Sequence, residues 1–224
     1  MIKIENIDVQ GFEPAIRGMR NPMNSWDKSD SVFCDPEGCG CCKFAEPCSK
    51  NVHEFIDDIS IGKNDLDLMR RLFKGGSEHR KYLRMIVVYM DITAPLYWWK
   101  EFDTYKVGTV ANSCSTMHKL DSRDLILDDF SHEKMFGSTR RILQEVIDEI
   151  NYCRLCYKTH KDKNFWWQMI QSLPSSYNQR RTVMMNYETV MTIIKQRSGH
   201  KLDEWHIFIE TLLDLPYIKD IKNE

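Results

Sequence analysis

Residues 86–117 read IVVYMDITAPLYWWKEFDTYKVGTVANSCSTM, and the opening of that stretch decides the fold class. Ile86, Val87, Val88 and Tyr89 are apolar in unbroken succession, which a strand wetted on one face does not show, so Tyr82 to Ile92 reads as a strand central in a sheet. The strand ends at Asp91-Ile92-Thr93-Ala94-Pro95. A proline in the first turn of a helix costs no hydrogen bond, and Leu96, Tyr97, Trp98, Trp99 and Phe102 follow at spacings that make one apolar face. A buried strand that runs through a proline into a short aromatic helix points to a mixed α/β protein.

Toward the amino terminus, Ile2 to Val9 reads as a strand, and Gly11 to Ser31, with Pro14 and Pro22, has little periodicity and reads as an irregular arm. Cys34 to Cys48 is a loop punctuated by Gly and Pro. His53 to Ser60 and Asp65 to Lys74 read as short helices, the second with Asn64 as its N-cap and Gly75-Gly76 as its stop. Toward the carboxyl terminus, Ile142, Leu143, Val146, Ile147, Ile150, Cys153 and Tyr157 keep a 3.6-residue period, which predicts a helix over Ser138 to Tyr157. Asn164 to Ser172 reads as a helix ending at Leu173-Pro174, Arg181 to Met185 as extended, and Glu188 to Gln196 and Asp203 to Leu213 as helices. With no internal repeat, the reading is one domain over residues 1–224, with the arm and a Cys-rich loop over about residues 11–50.

At 224 residues, 42% hydrophobic, the chain is long enough to bury an ordinary core. Its 31 Lys and Arg nearly balance its 33 Asp and Glu, so no long-range field draws it to a phosphate backbone and nucleic acid is not the expected partner. No run of about twenty apolar residues is present to span a bilayer, and Met1 to Gln10 lacks the pattern of a leader, so the expectation is a cytoplasmic protein without a membrane partner. Of the 8 cysteines, Cys34, Cys39, Cys41, Cys42 and Cys48 crowd one loop, without the paired spacing of a zinc knuckle; reduced thiols and no metal are expected.

Two segments carry a resemblance. In residues 86–117, Ala94-Pro95 opens a helix that leads to Thr104-Tyr105-Lys106 and on to Asn112-Ser113-Cys114-Ser115-Thr116. Residues 173–209, LPSSYNQRRTVMMNYETVMTIIKQRSGHKLDEWHIFI, set out Leu173-Pro174, then Asn186, then an apolar helix closing on Arg197, then Trp205. This layout resembles the flavin-dependent thymidylate synthase family. There, Ala-Pro leads to an Arg-His-Arg triplet and a Ser, Glu, Ser, Arg run, and Leu-Pro leads to Asn-Ala-Arg, a helix ending in Arg, and Gln-Trp-Glu.

The resemblance implies an α/β fold with a mostly antiparallel sheet flanked by helices, assembled as a homo-tetramer with active sites where subunits meet. It also implies FAD as cofactor, with NADPH and methylenetetrahydrofolate as co-substrates, converting dUMP to dTMP. Carried over residue by residue, it makes Arg197 the residue that positions the pyrimidine nucleotide. Glu101, Thr104, Asn112, Ser113, Cys114, Ser115 and Gln171 join Arg197 around the substrate, and His79, Tyr105, Lys106, Asn112, Asn186 and Thr192 contact the flavin. The departures are chemical. Of the triplet only Lys106 keeps a charge, Glu101 stands for a glutamine, Asn112 for the glutamate, Thr116 for the last arginine and Glu188 for the arginine of Asn-Ala-Arg. His79 comes early for a flavin ligand, and Gln171 is the nearest polar residue to the place of the arginine before Leu-Pro.

Each of these residues also has a plainer use. Arg197 could complement the carboxyl end of its helix, Asn186 could cap one, Lys106 could be a solvated charge, Asn112 to Thr116 a tight loop, and Cys114 an inert thiol. Arg180 and Arg181, or Arg17 and Arg20, could replace the missing cations. Three functions stay open: a flavin-dependent thymidylate synthase or close variant, an enzyme of the same fold modifying another pyrimidine nucleotide (for instance by phage-linked hydroxymethylation), and a non-catalytic nucleotide-binding module.

Overall fold

The computed structural model describes residues 1–33 and 59–222. The chain divides into two compact units, one of Met1–Ile7, Tyr89–Met184 and Lys201–Phe208, the other of Asp8–Val88, Met185–His200 and Ile209–Glu224. The main sheet is antiparallel and four-stranded, with β1 (Lys3–Gln10), β4 (Val87–Pro95), β5 (Thr109–Ser113) and β6 (Asn178–Asn186) in the order β1-β4-β6-β5. The mixed α/β class and the central place of the Ile86 run are as the sequence predicts. The strand starts later than Tyr82, however. Lys81–Arg84 forms a short 3-10 turn, held by the buried Tyr82 hydroxyl donating to the Met69 carbonyl at 2.9 Å. Along β4, Val88, Met90, Ile92 and Ala94 are buried while Tyr89 is exposed, the period-two alternation of a pleated strand.

In the first unit, α3 (Leu96–Phe102) buries Trp98, Trp99 and Phe102. Trp98 stacks on Phe102 at 5.1 Å between ring centres and meets Trp205 at 4.8 Å, with Phe208 edge-on at 5.3 Å; Trp205 and Phe208 come from α8 (Asp203–Leu213). A second apolar cluster joins Phe130, Leu143, Ile147, Ile150, Cys153 and Met169, drawn chiefly from α5 (Gly137–His160) and α6 (Lys163–Ser172). The long period over Ser138 to Tyr157 thus gives the helix it predicts. Three strands are tied by one carboxylate: Asp91 of β4 accepts from Thr182 Oγ1 at 2.5 Å and Arg180 Nη2 at 2.7 Å on β6, and from Asn6 Nδ2 at 2.8 Å on β1. Those hydrogen bonds, that of Thr182 first, hold the Asp91 carboxyl down at about 2.

In the second unit the arm is ordered. Phe12–Arg20 is a helix, α1, burying Phe12, Ala15, Ile16 and Met19, a stripe at i, i+3, i+4 and i+7. Pro14 sits in its first turn, where no backbone bond is lost, so the proline that suggested irregularity is compatible with helix. Gly11, at its start, has φ +95°, and a Cβ there would lie 2.2 Å from the Met85 carbonyl oxygen; only glycine fits. The helix α2 (Lys63–Lys74) begins one residue before the expected Asn64 cap. A remote residue caps it: Asp30 Oδ2 accepts from the Asn64 N–H at 2.9 Å and Oδ1 from the Asp65 N–H at 3.1 Å. Of the helix read over His53 to Ser60, residues 53–58 lie outside the described residues, and Ile59–Ser60 is instead a strand, β3, pairing antiparallel with β2 (Val32–Phe33). The helix α7 (Tyr187–Arg197) completes the frame with α9 (Ile218–Lys222), Phe12 standing edge-on to Tyr187 and Tyr217 at 5.6 Å each.

Asp65 is the anchor of this unit. It has no solvent exposure and pairs with Arg20 at 2.6 Å, while Ser29 Oγ, Ser31 Oγ and the N–H groups of Asp30 and Ser31 also donate to it. Burial pushes its carboxyl up, but the donors from Ser31, Ser29, Arg20 and Asp30 together outweigh burial and hold it below the usual carboxylate range. Asp65→Asn keeps the shape and removes the charge, and is expected to destabilise the protein by about 3–5 kcal/mol near neutral pH, because a buried guanidinium loses its partner. Because the native carboxyl titrates below the unfolded one, its contribution is full above the ordinary carboxylate range and fades as pH falls through the native value. Urea unfolding of the two proteins should show the gap narrowing in acid.

Candidate functional site

The residues of the first unit converge where α3 ends and β5 begins. Glu101, the last polar residue of α3, accepts at Oε2 from the Trp205 indole N–H at 3.0 Å. Thr104 turns back to donate to the Glu101 carbonyl at 2.8 Å, and the Tyr105 ring lies against Phe102 at 6.3 Å and Trp205 at 6.2 Å. Two of the three triplet positions thus close the helix and pack on the aromatic cluster, and Lys106 is exposed. Asn112 and Ser113 are exposed on β5, the sheet edge. The Cys114 N–H donates to the Arg180 carbonyl at 2.9 Å, its own carbonyl accepts from Gln179 Nε2 at 2.7 Å, and its thiol is free and exposed. Ser115 caps α4 (Thr116–Lys119), accepting from the His118 N–H at 3.1 Å. Gln171 is exposed near the end of α6.

The compensating arginines are already engaged. Arg180 pairs with Asp91 at 2.7 Å. Arg181 pairs with Asp103 at 2.7 Å and lies 4.2 Å over the Trp99 ring. Arg17 pairs with Glu13 at 3.5 Å, and Arg20 is the buried partner of Asp65.

In the second unit, α7 carries the candidates. Asn186 is its N-cap, with Oδ1 accepting from the Thr189 N–H at 2.9 Å and the Thr189 hydroxyl at 3.1 Å. Glu188 faces Arg80 at 3.0 Å. Thr192 lines a cleft of about 540 Å³ together with Arg80, Lys195, Ser198 and Lys222, over an apolar floor that includes Phe73 and Ile194. Arg80 also lies 5.4 Å over the Phe73 ring. The size and the mix of apolar floor with a few cationic and hydroxyl groups are those of a small-molecule site. Arg197, half-buried, closes α7, where a cation also complements the helix carbonyls. His79 is exposed in the turn after Gly76, its N–H donating to the Gly76 carbonyl at 3.0 Å. Arg80, Lys195 and Lys222 escaped the sequence reading. For Lys195 the signal was its helical spacing from Thr192, at i and i+3 on one face; Arg80 and Lys222 lie on other segments and carry no such local signal.

No protein-family model matches the chain, and no curated protein matches it in sequence. Solved structures do. Thymidylate synthase X from Helicobacter pylori, with FAD and dUMP, superposes with a TM-score of 0.64 at 15% identity, covering 100% of this chain and 98% of that one. The chain has the fold of the flavin-dependent thymidylate synthases. A second structure of the Helicobacter pylori enzyme complexed with FAD and dUMP gives a TM-score of 0.62 at 14% identity, covering 98% of each chain. The UMP/dUMP methylase PolB from Streptomyces cacaoi, bound with 5-Br dUMP, gives 0.54 at 11% identity, covering 95% of this chain and 88% of that one. The fold implied by the two quoted segments is therefore the fold observed.

The five clustered cysteines, Cys34 to Cys48, lie outside the described residues; among the described residues no group of three or more His, Cys, Asp or Glu could hold a metal ion. Among those residues, too, no helix is long and apolar enough to cross a membrane.

On this fold the two uses of Asn186 can be separated. Asn186→Ala should cost about 1 kcal/mol of stability through the lost cap, measured by chemical denaturation, whereas Asn186→Ser should restore most of it. If Asn186 also contacts a cofactor, the serine variant will fold normally and still bind flavin more weakly.

Proposed function

We propose that this chain holds a pyrimidine deoxynucleotide of the dUMP class and acts on its base with a bound flavin, as a flavin-dependent thymidylate synthase or a close variant of one. The observation that carries the reading is a fold shared over 95–100% of this chain with proteins solved with dUMP or a brominated dUMP, two of them with FAD as well. The α7 cleft supports it, because its chemistry suits a ring system that ends in phosphates: the apolar floor takes the ring, and Lys195, Lys222, the Ser198 hydroxyl and the part of the Arg80 guanidinium not turned to Glu188 offer donors to phosphate oxygens. When bound there, FAD would supply the hydride chemistry, with NADPH and methylenetetrahydrofolate as co-substrates if the fold's usual reaction is kept. The chain's own part is orientation and electrostatics. Arg197 supplies a guanidinium fork for the nucleotide, Lys106 the one charge of the triplet, and Asn112 to Ser115 a run of small amides and hydroxyls able to cradle a phosphate. A homo-tetramer in the cytoplasm belongs to the same reading, and the exposed Tyr152 and Leu155 of α5 and Trp167 of α6 are apolar surface for such an assembly.

A second reading is favoured by the triplet. Thr104 and Tyr105 are turned to their own helix and to aromatic rings, and Arg180 and Arg181 are held by carboxylates, which leaves little positive charge on that face for a flavin diphosphate. An enzyme of the same fold working on another pyrimidine nucleotide, or a binding module without turnover, fits that pattern.

Spectra and calorimetry separate the readings. The purified protein should show a flavin absorbance or take up added FAD, and should bind dUMP; dUMP binding with neither bound flavin nor uptake leaves only the second reading. Arg197→Ala should weaken dUMP binding by about 1.5–3 kcal/mol, the worth of a charged hydrogen bond. Unchanged affinity would remove Arg197 from the site.

A further inference from the structure

Arg20 is 4% exposed and carries more donors than its partners use. Its Nε is paired with Asp65 at 2.6 Å and its Nη1 donates to the Ser25 carbonyl at 3.3 Å. Its Nη2 is buried and has no hydrogen-bond partner among the described residues. Asp65 does not pair with it: Oδ1 takes the Arg20 Nε, and the other four donors converge on Oδ2. Arg20 also lines a cleft of about 550 Å³ with Lys28, Asn64, Asp67, Arg70 and Arg71. Lys28 and Arg71 are exposed and have no ion-pair partner among the described residues, while Arg70 is turned to Asp67 at 3.3 Å and to the Asp220 carbonyl at 2.8 Å.

We propose that this cleft, between the Trp26–Lys28 turn and α2, binds a small phosphate or phosphomonoester through the orphaned Nη2 of Arg20 flanked by Lys28 and Arg71. A buried charged N–H with no acceptor is costly, and an anionic oxygen is the acceptor that relieves it best. The backbone of the helix start is not the receptor, because Asp30 already occupies the N–H groups of Asn64 and Asp65. Of the four cations that line the cleft, Arg20 and Arg70 face Asp65 and Asp67, and the charge left over on Lys28 and Arg71 selects for an anion, while the Asp67 carboxylate disfavours a long polyanion laid across the cleft. A compact tetrahedral anion, offering several oxygens to divergent donors, is the chemistry that fits.

The test uses the full chain and inorganic phosphate, titrated at constant ionic strength and followed by calorimetry and thermal shift. Phosphate should bind and raise the melting temperature, and binding should persist in Arg197→Ala. The double variant Lys28→Ala, Arg71→Ala changes only exposed side chains, so it should fold with the wild-type melting temperature in the absence of phosphate and lose roughly tenfold or more in phosphate affinity. Competition by dUMP, but not by deoxyuridine, would identify the phosphoryl end of a nucleotide as a source; competition by neither leaves free phosphate. No phosphate-dependent stabilisation in the wild type, or equal affinity in the double variant, overturns the proposal.

Discussion

A single buried carboxylate sets the geometry of the second unit. Asp65 has no contact with solvent, and among the described residues it gathers donors: the Arg20 guanidinium from α1, and the Ser29 and Ser31 hydroxyls and the Asp30 and Ser31 N–H groups from the segment before β2. A charge removed from water this completely is tolerable only when its hydrogen-bonding capacity is filled. Filling it fixes three pieces of chain at once, α1, the Ser29–Ser31 segment and the first turn of α2. Asp30 then completes the exchange by capping α2 with its own carboxylate. Gly62 has to be glycine for this reason: a Cβ there would lie 2.2 Å from the Asp30 carboxyl group. The orphaned Arg20 Nη2 follows from the same arrangement, since a guanidinium brought in to neutralise one saturated carboxylate has donors left over.

The first unit solves its polar problem differently. The indole of Trp205, fully buried, needs an acceptor, and Glu101 provides it; Trp99 finds the Gln179 carbonyl at 2.9 Å. Because these rings interlock, the end of α3 is pinned, and the positions of Thr104, Tyr105 and Lys106 follow from aromatic packing. Asp91 does for the sheet what Glu101 does for the helix end, gathering donors from β1 and β6 on one carboxylate. Positioning in this unit therefore rests on rings and carboxylates, and any ligand meets a preformed frame.

What could be read in the sequence was whatever local chemistry dictates. The long helix around Ile147 and the Asp203 helix come from periodicity, and the central strand through Val88 from its apolar run, although the strand begins at Val87 and the residues from Lys81 to Arg84 form a 3-10 turn. The α1 helix was hidden because Pro14 marks a break only when its place in the turn is unknown. The cap of α2 was hidden for a deeper reason: Asp30 stands 34 residues before Asn64, and no local pattern reports a donor–acceptor match at that distance. The candidate site divides in the same way. Arg197, Asn186 and Thr192 became candidates through the family resemblance, whereas the cleft around Thr192 needed Arg80 and Lys222, which only the fold brings to α7. The fates of Arg180 and Arg181 could not be foreseen either. Neighbours on a strand point to opposite faces, and each met a carboxylate supplied from far along the chain.

Those two ion pairs bear on how a nucleotide phosphate could be held. A phosphate recruiting Arg180 would have to displace Asp91, whose carboxyl is held at about 2 by three donors and which therefore stays ionised at any physiological pH; one recruiting Arg181 would have to displace Asp103 and lift the guanidinium from the Trp99 ring. Either exchange gives up a charge-assisted bond to gain one, so the net attraction is small. Recognition then passes to cations without that commitment, and exposed lysines such as Lys106 are point charges on flexible stems, weaker and more readily screened by salt than an arginine fork. On the proposed reading, a triplet without arginine would change the character of phosphate binding as well as its strength, because the charge of Arg180 and Arg181 is spent on holding the sheet and the aromatic helix in place.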